Sequence, residues 1–212
     1  MIRRITAIFL LALTLAVTAT AAELTGARKQ EVIAAINSAA SQLRTMSCTF
    51  TQTKHLSMLS DKMISEGRMY YTAPNKLRWE YTSPYRYLFI FNGNKVYVGN
   101  DSRKDVIDTN SNKIFKEVAR IMMSTVTGTA LSNATDFDTA VADSPENWVV
   151  TLVPKKKEMR RMFAKIVMTF SKKAMMISGI DLYEKNGDRT EIKLKDISSS
   201  KPVDESLFNI PK

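Results

Sequence analysis

The chain has very few residues of the kinds that build catalytic and metal sites. Among its 212 residues there is one cysteine, Cys48, and one histidine, His55, so neither an internal disulfide nor a structural zinc site can form. No G-x-S-x-G motif occurs, and no turn signal brings Cys48 and His55 together as a nucleophile–base pair. The seven glycines form no glycine-rich phosphate loop. The sequence therefore predicts that the protein is not an enzyme, with no cofactor and no metal, and leaves a hydrolase as the weakest alternative.

Long apolar runs are also missing, except at the start of the chain. The first four residues, Met1-Ile2-Arg3-Arg4, form a short basic start, residues 5–17 are apolar and uncharged, and Ala19-Thr20-Ala21 has the small-x-small pattern of a signal-peptidase site. The run is too short for a membrane span, so residues 1–21 are predicted to be a secretory signal peptide, cut after Ala21 or Ala22. No cysteine follows the cut to be acylated, and we expect a soluble exported protein.

Acidic side chains are outnumbered by basic ones. The chain has 31 Lys and Arg against 21 Asp and Glu, and loss of Arg3 and Arg4 leaves 29 against 21, a net charge of +8. Such a surface suits anionic lipid headgroups or an acidic partner, or it serves solubility alone. Export makes nucleic acid the weakest partner, and none is predicted.

An exported chain without disulfides fits the periplasm of a Gram-negative type envelope better than the extracellular medium. Its single cysteine, Cys48, is predicted to be a buried strand residue.

Two segments have the apolar period of an amphipathic helix. Residues 25–44 place Val32, Ile36 and Leu43 on one side. The stripe of residues 113–123 consists of Ile114, Phe115, Val118, Ile121 and Met122. Residues 125–135 are small and polar and predict a loop or a short frayed helix. A helix with one apolar stripe must pack that stripe against another element.

Elsewhere the apolar period is two, as in strands. Leu77, Trp79 and Tyr81 alternate with charged side chains, and Asn92-Gly93 and Asn186-Gly187-Asp188 are hairpin turn signals. Further strands are predicted at residues 48–52, 63–71, 85–91, 95–99, 136–142, 148–153, 162–170, 174–183 and 190–197. Consecutive hairpins predict an α+β fold in one domain, residues 22–212, with an antiparallel sheet curled into a barrel or half-barrel and helices over its open mouth.

Methionine and aromatic residues supply much of the apolar surface of this sheet. Aromatic residues concentrate between Tyr70 and Tyr97, and methionine occurs 12 times. The methionines of the later elements include Met122, Met123, Met162, Met175 and Met176. Methionine makes adaptable apolar surfaces, so the pattern favours a container for a lipid or another apolar ligand. A tightly packed core has the same composition, and both interpretations stay open at this point.

Several motifs, taken in order, resemble those of LolA-like periplasmic lipoprotein carriers. The most specific is P-N-K-L-R-W-E-Y-x-x-P at residues 74–84, followed by an apolar strand and by N-G-x-x-V-Y at residues 92–97. The other matching pieces are F-T-Q at 50–52, E-G-R-M-Y-Y at 66–71, W-V-V-T-L-V-P at 148–154, G-D-R-T-E-I at 187–192 and L-F-x-I at 207–210. The resemblance runs from residue 25 nearly to the end of the chain.

The resemblance implies an incomplete antiparallel β-barrel covered by a lid of two or three helices. It implies a monomeric chaperone that shields acyl chains, without covalent chemistry. Its expected partners are acylated lipoproteins, an inner-membrane lipoprotein-releasing transporter and an outer-membrane acceptor. The residues expected to line the acyl-chain cavity are Phe50, Met69, Leu77, Trp79, Tyr81, Leu88, Ile90 and Val96. The residues expected in the lid are Ile114, Val118, Ile121 and Met122.

One departure from the family pattern concerns the lid. Many members have an arginine directly before the Pro-Asn pair that holds the lid shut through hydrogen bonds, whereas this chain has Ala73 there. The latch is therefore expected to differ, or the lid to be looser.

An alternative function is a LolA-like envelope sensor or scaffold that binds a lipid or a protein without transport. The outer-membrane acceptor of such systems is lipid-anchored through an N-terminal cysteine, which this sequence does not place after the predicted cut.

Overall fold

The computed structural model of the protein describes residues 22–59, 61–100, 102–127, 131 and 135–211. The predicted signal peptide, residues 1–21, lies outside the described residues. In the described part of the chain, no helix is both long enough and apolar enough to cross a membrane.

Twelve strands of the described chain form one antiparallel sheet. They are β1 Ala22–Leu24, β2 Thr45–His55, β3 Lys62–Thr72, β4 Lys76–Ser83, β5 Tyr87–Asn92, β6 Lys95–Gly99, β7 Lys104–Asp108, β8 Phe137–Asp143, β9 Asn147–Pro154, β10 Phe163–Ser171, β11 Met176–Glu184 and β12 Arg189–Ser198. Their order in the sheet is β1-β8-β9-β10-β11-β12-β2-β3-β4-β5-β6-β7. Because β1 and β7 are the two edges and do not pair with each other, the sheet is not closed. This confirms the incomplete antiparallel barrel expected from the sequence.

Three α-helices accompany the sheet in the described residues, together with a 3₁₀ turn at Glu205–Phe208. Helix α1 spans Gly26–Gln42, α2 spans Lys113–Thr127 and α3 spans Lys157–Met162. The two long helices were expected, and α2 continues to Thr127, into the beginning of the segment predicted as a loop or a short frayed helix. The sequence does not predict β1, β7 or α3, because three to six residues are too few to show a period.

One face of the sheet, here called the inner face, is apolar and packs against the helices. Leu77 of β4 has no exposed surface, and Val32 and Ile36 of α1 are almost fully buried in the same cluster. Helix α2 contributes Ala119 and Val126 to that cluster. Burial of a large apolar side chain contributes about 1.5–3 kcal/mol. The core therefore lies between the inner face and the two long helices, as the amphipathic patterns require.

Gly67 lets the inner face close around Phe50. A Cβ atom on Gly67 would collide with the carbonyl O of Glu80 and would lie only 2.6 Å from Cε1 of Phe50. The register of β3 with β4 is irregular at the same point. The Phe50 ring centroid then lies 4.4 Å from that of Trp79 and 5.2 Å from that of Tyr81, within aromatic contact distance. Only glycine permits this close approach of ring and neighbouring strand.

Gly67→Ala should lower the free energy of unfolding by about 1–3 kcal/mol or more, because the added methyl group overpacks the core. Urea denaturation followed by tryptophan fluorescence measures this change. Gly179→Ala is the matched control, since a Cβ on that strand glycine would lie at an ordinary 3.6 Å from the carbonyl O of Ile192. Equal losses in the two variants would contradict the explanation.

The C-terminal segment packs on the opposite face of the sheet, here called the outer face. Phe208 has no exposed surface and forms a second apolar cluster with Ile90 and Tyr97. The side-chain amide of Asn92 donates a hydrogen bond to the carbonyl O of Phe208 at 3.2 Å. The outer face of β5 and β6 is thus covered by the C-terminal segment of the same chain.

Candidate functional site

Six of the predicted cavity residues come together on the inner face. They are Phe50, Met69, Leu77, Trp79, Tyr81 and Val96. Five of them are buried, while Tyr81 is partly buried and its hydroxyl donates to Oε1 of Gln52 at 2.9 Å. Burial raises the pKa of Tyr81, so its hydroxyl stays neutral. In this structure the six side chains form packed core, and their contact with an acyl chain stays a prediction.

Leu88 and Ile90 lie on the outer face, apart from the other predicted cavity residues. The register of β4 with β5 pairs Leu77 with Phe91, so Phe91 faces inward and its neighbours alternate outward. Ile90 is buried in the cluster of Phe208, and Leu88 packs against that cluster. For these two residues the expectation of an inward position is corrected.

Phe89 and Phe91 hold the inward positions of β5, and sequence reasoning missed both. Residues 87–91 are all apolar or aromatic, so a period of two could not show which of them face inward. A signal did exist in the next turn. The two-residue connection between β5 and β6 pairs Phe91 with Val96, which was already expected to face inward. Phe91 follows from that pairing, and Phe89 follows by alternation.

Helix α2 covers the inner face, as expected of a lid. Among the predicted lid residues, Met122 is partly buried and packs against the main cluster. The side chains of Ile114, Val118 and Ile121 lie outside the described residues, and their role stays a prediction. Ala119, in the middle of the helix, is almost fully buried.

A cavity of about 790 Å³ lies between α2, the end of α1 and the turns that follow β3 and β5. This volume falls within the range of about 300–1,000 Å³ that is usual for ligand pockets. Its apolar wall includes Leu43, Tyr71, Ala73, Phe91 and Met123. The cavity reaches the small side chain of Ala73, the position at which the family pattern has an arginine. Phe91, one of the two inward residues of β5, both lines this cavity and packs against the main core cluster.

Three cations also line the cavity: Arg44, Lys116 and Arg120. Among the described lining residues there is no aspartate or glutamate. The backbone N–H of Ala73 donates to the carbonyl O of Arg44 at 2.8 Å, so Arg44 lies beside Ala73. Burial raises the pKa of Tyr71, and the charge of Arg44 opposes that rise. The cavity therefore combines an apolar wall with positively charged side chains.

A cluster of ion pairs connects α2 to the start of β8. Nη2 of Arg120 lies 3.3 Å from Oδ2 of Asp136, and Nζ of Lys156 lies 2.7 Å from Oδ1 of the same carboxylate. The side chain of Asp136 is only 4% exposed. The hydrogen bond from Lys156 is the main cause that lowers the pKa of Asp136, and the charge of Arg120 adds to it, whereas burial opposes it. An ionised carboxylate thus holds the lid helix through Arg120.

Asp136→Asn should lower the free energy of unfolding by about 1–3 kcal/mol at neutral pH, because charge-assisted contacts are lost. Folding lowers the pKa of Asp136 below its ordinary value of 3.8. The wild type should therefore exceed the variant in free energy of unfolding by the full amount well above the unfolded-state pKa of Asp136. This stability difference should disappear as the pH falls through the lower folded-state pKa. Urea titrations of both proteins at neutral pH and at about pH 2.5 measure this gap. A gap of the same size at both pH values would show that the carboxylate charge is not what holds α2.

Cys48 and His55 do not form a reactive pair. They lie seven residues apart on β2, which is about 23 Å along a strand. Cys48 is buried, and burial raises the pKa of its thiol to about 12, so the nucleophilic thiolate is scarce at neutral pH. The described residues contain no group of three or more side chains able to hold a metal ion.

Comparison with known proteins supplies the family. Residues 41–211 match the family model described as outer membrane lipoprotein carrier protein LolA. The chain belongs to the LolA family. A curated relative within it is the outer-membrane lipoprotein carrier protein of Legionella pneumophila (strain Paris), which is 26% identical over 144 residues, 68% of each chain.

Solved structures show that this LolA-family chain shares its fold with distant proteins. One is an uncharacterized conserved protein from Thermus thermophilus, with a TM-score of 0.55 at 10% identity over 87% of this chain and 95% of that one. Another is the MucA/MucB complex of Pseudomonas aeruginosa, with a TM-score of 0.54 at 9% identity over 86% of this chain and 61% of that one. At such identities the likeness concerns the fold alone.

Proposed function

We propose that this LolA-family protein is a periplasmic chaperone that binds the acyl chains of lipoproteins and carries them from the inner to the outer membrane. The observation that carries the proposal is the apolar cavity between α2 and the sheet, which adjoins the packed inner face. The family and the curated relative support it. Its partners would be acylated lipoproteins, an inner-membrane releasing transporter and an outer-membrane acceptor, and no covalent step is involved.

The hydrophobic effect explains why lipoprotein transport needs a container. Exposure of an acyl chain to water costs about 0.8 kcal/mol per CH₂ group. Leu43, Phe91 and Met123 offer an apolar wall that removes this exposure. The guanidinium groups of Arg44 and Arg120 carry several N–H donors, and such donors suit the ester and amide carbonyls at which acyl chains join a lipoprotein.

Acyl chains can reach the inner face only if α2 moves away from it. Met69 and Leu77 have no exposed surface beneath the helices. Apolar contacts of the lid, such as those of Met122, are non-directional, so acyl chains can replace them without a specific geometric match. We therefore infer an exchange in which lid side chains fill the core of the empty carrier and acyl chains fill that of the loaded one.

Ala73→Trp should reduce lipoprotein uptake by about tenfold or more, because an indole at this position fills part of the cavity. The assay mixes the protein with a detergent-solubilised tri-acylated lipoprotein, removes the detergent and quantifies a soluble one-to-one complex by size exclusion and native mass spectrometry. Val106→Trp, at an exposed position of β7 that does not line the cavity, is the matched control. Undiminished uptake by a folded Ala73→Trp protein would contradict the cavity as the binding site.

Leu77→Glu is a less suitable variant for this question. Leu77 is fully buried in the main cluster, and an unpaired carboxylate there would destabilise the fold as well as any binding site. The cavity wall at Ala73 allows binding to be changed separately from stability.

The filled inner face favours a second candidate function, an envelope sensor or scaffold that binds a lipid or a protein without transport. A module of that kind needs no room beneath α2, and the fully buried state of Met69 and Val96 is compatible with it. The uptake assay separates the two functions. A folded wild-type protein that binds neither the lipoprotein nor free acyl chains would favour the scaffold, and a complex that releases its cargo to membranes would favour the carrier.

A further inference from the structure

Exposed apolar side chains concentrate at one end of the sheet. Large apolar residues exposed there are Met58, Leu59, Met63, Ile64, Tyr85, Tyr87 and Met162. Met58 is 93% exposed and Leu59 59% exposed at the tip of the β2–β3 hairpin, and Tyr85 is 80% exposed in the β4–β5 loop. Apolar side chains that are scattered singly need no explanation, but a group at one end of a sheet marks an interaction surface.

The antiparallel order places these residues on the same end. Four connections between neighbouring strands lie at the same end of the sheet, because the strands are antiparallel. They are β9–α3–β10, β11–β12, β2–β3 and β4–β5. Two hydrogen bonds link them directly: the N–H of Lys185 donates to the carbonyl O of Met162 at 3.0 Å, and the hydroxyl of Ser57 donates to the carbonyl O of Asn186 at 3.1 Å. We call this end the rim, made of residues 56–59, 61–64, 84–87, 155–165 and 184–188.

The rim is strongly basic. Residues 155–165 contain six lysines and arginines and one acidic residue, Glu158. Lys155 and Lys156 pair with Asp138 and Asp136. The other four cations of the segment are exposed, and so are three cations of the neighbouring connections. The seven are Lys62, Arg86, Lys157, Arg160, Arg161, Lys165 and Lys185.

Acidic residues of the rim are fewer and partly engaged. Glu184 pairs with Lys54 at 3.5 Å, and Asp188 accepts hydrogen bonds from the backbone N–H and the hydroxyl of Ser57. Asp61 and Glu158 are exposed. Cations therefore dominate the surface that surrounds the exposed apolar tip.

We propose that the rim docks on a bilayer that contains anionic phospholipids. Met58 and Leu59 enter the boundary between headgroups and acyl chains, Tyr85 lies at headgroup level, and the cations contact lipid phosphates. We choose an anionic bilayer as the partner because its structure complements the rim. Its phosphates are negative at the surface and would pair with the lysines and arginines, and its acyl chains beneath are apolar and would take up the apolar tip. This inference goes beyond lipoprotein binding, because the cavity lies at the opposite end of the strands, beside the turns after β3 and β5.

Flotation of the cargo-free protein with phospholipid vesicles tests the proposal. The wild type should bind vesicles of phosphatidylcholine and phosphatidylglycerol in a two-to-one ratio, bind pure phosphatidylcholine vesicles far less, and lose binding as salt is raised. Met58→Ser with Leu59→Ser should weaken partitioning by about tenfold or more. Val106→Ser is the matched control, since Val106 is 54% exposed on β7 away from the rim.

The charge of the rim is tested in the same assay. Arg160→Gln with Arg161→Gln should weaken binding to anionic vesicles by about tenfold or more. Lys95→Gln with Lys201→Gln removes two exposed cations at the opposite end and should leave binding nearly unchanged. Equal effects of the two pairs would overturn the rim as the docking surface, and so would a wild type that floats with neither kind of vesicle.

A fluorescent probe reports insertion independently of affinity. Leu59→Cys can be labelled selectively with an environment-sensitive dye, because the native Cys48 is buried. The dye should shift to the blue on anionic vesicles and be quenched by brominated acyl chains, whereas a dye at Val106→Cys should do neither. No shift at position 59 in a protein that floats would overturn the inserted tip. Neither assay uses a lipoprotein, so their outcome is separate from that of the carrier proposal.

Discussion

An apolar sheet face that does not close on itself must be covered by other elements. Phe50, Leu77 and Trp79 belong to such a face, and the sheet that carries them ends at β1 and β7 without closing. Each of these side chains loses about 1.5–3 kcal/mol of stabilisation when it faces water. Helices α1 and α2 provide the cover, and the positions of the lid, the cavity and the ion pairs all depend on it.

The two helices cover the sheet in different ways. Helix α1 places Val32 and Ile36 almost completely within the core. Helix α2 combines partly buried methionines with an ion pair from Arg120 to the buried Asp136. Apolar contacts can be exchanged for those of another apolar group, whereas a buried carboxylate needs its specific cationic partners. A cover built from both kinds of contact would suit the proposed exchange, in which acyl chains replace apolar lid contacts while Asp136 and its cationic partners define the position of α2.

Charge and apolar surface are distributed unevenly between the ends of the strands. The cavity beside Ala73 lies at one end with Arg44 and Arg120 in its wall, and the rim around Met58 and Leu59 lies at the other. A bilayer against the rim would therefore leave the cavity uncovered. If both proposals hold, one molecule can contact a membrane through the rim while it holds cargo in the cavity.

Periods within short segments of the chain were enough to predict the antiparallel sheet and the two covering helices, and the resemblance of its ordered motifs pointed to the family. Alternation in β4, the helical stripe of α1 and the hairpin signal at Asn92-Gly93 each depend on neighbours in the chain, and each is found in the structure. Contacts between distant segments had no such signal. Phe89 and Phe91 face inward while Leu88 and Ile90 pack against Phe208, because β5 is apolar on both sides and only its pairing with β4 and β6 sets the register. Folding likewise brought Arg44, Ala73 and Arg120 to one cavity and Asp136 to Arg120, and no local pattern contains contacts between residues so far apart in the chain.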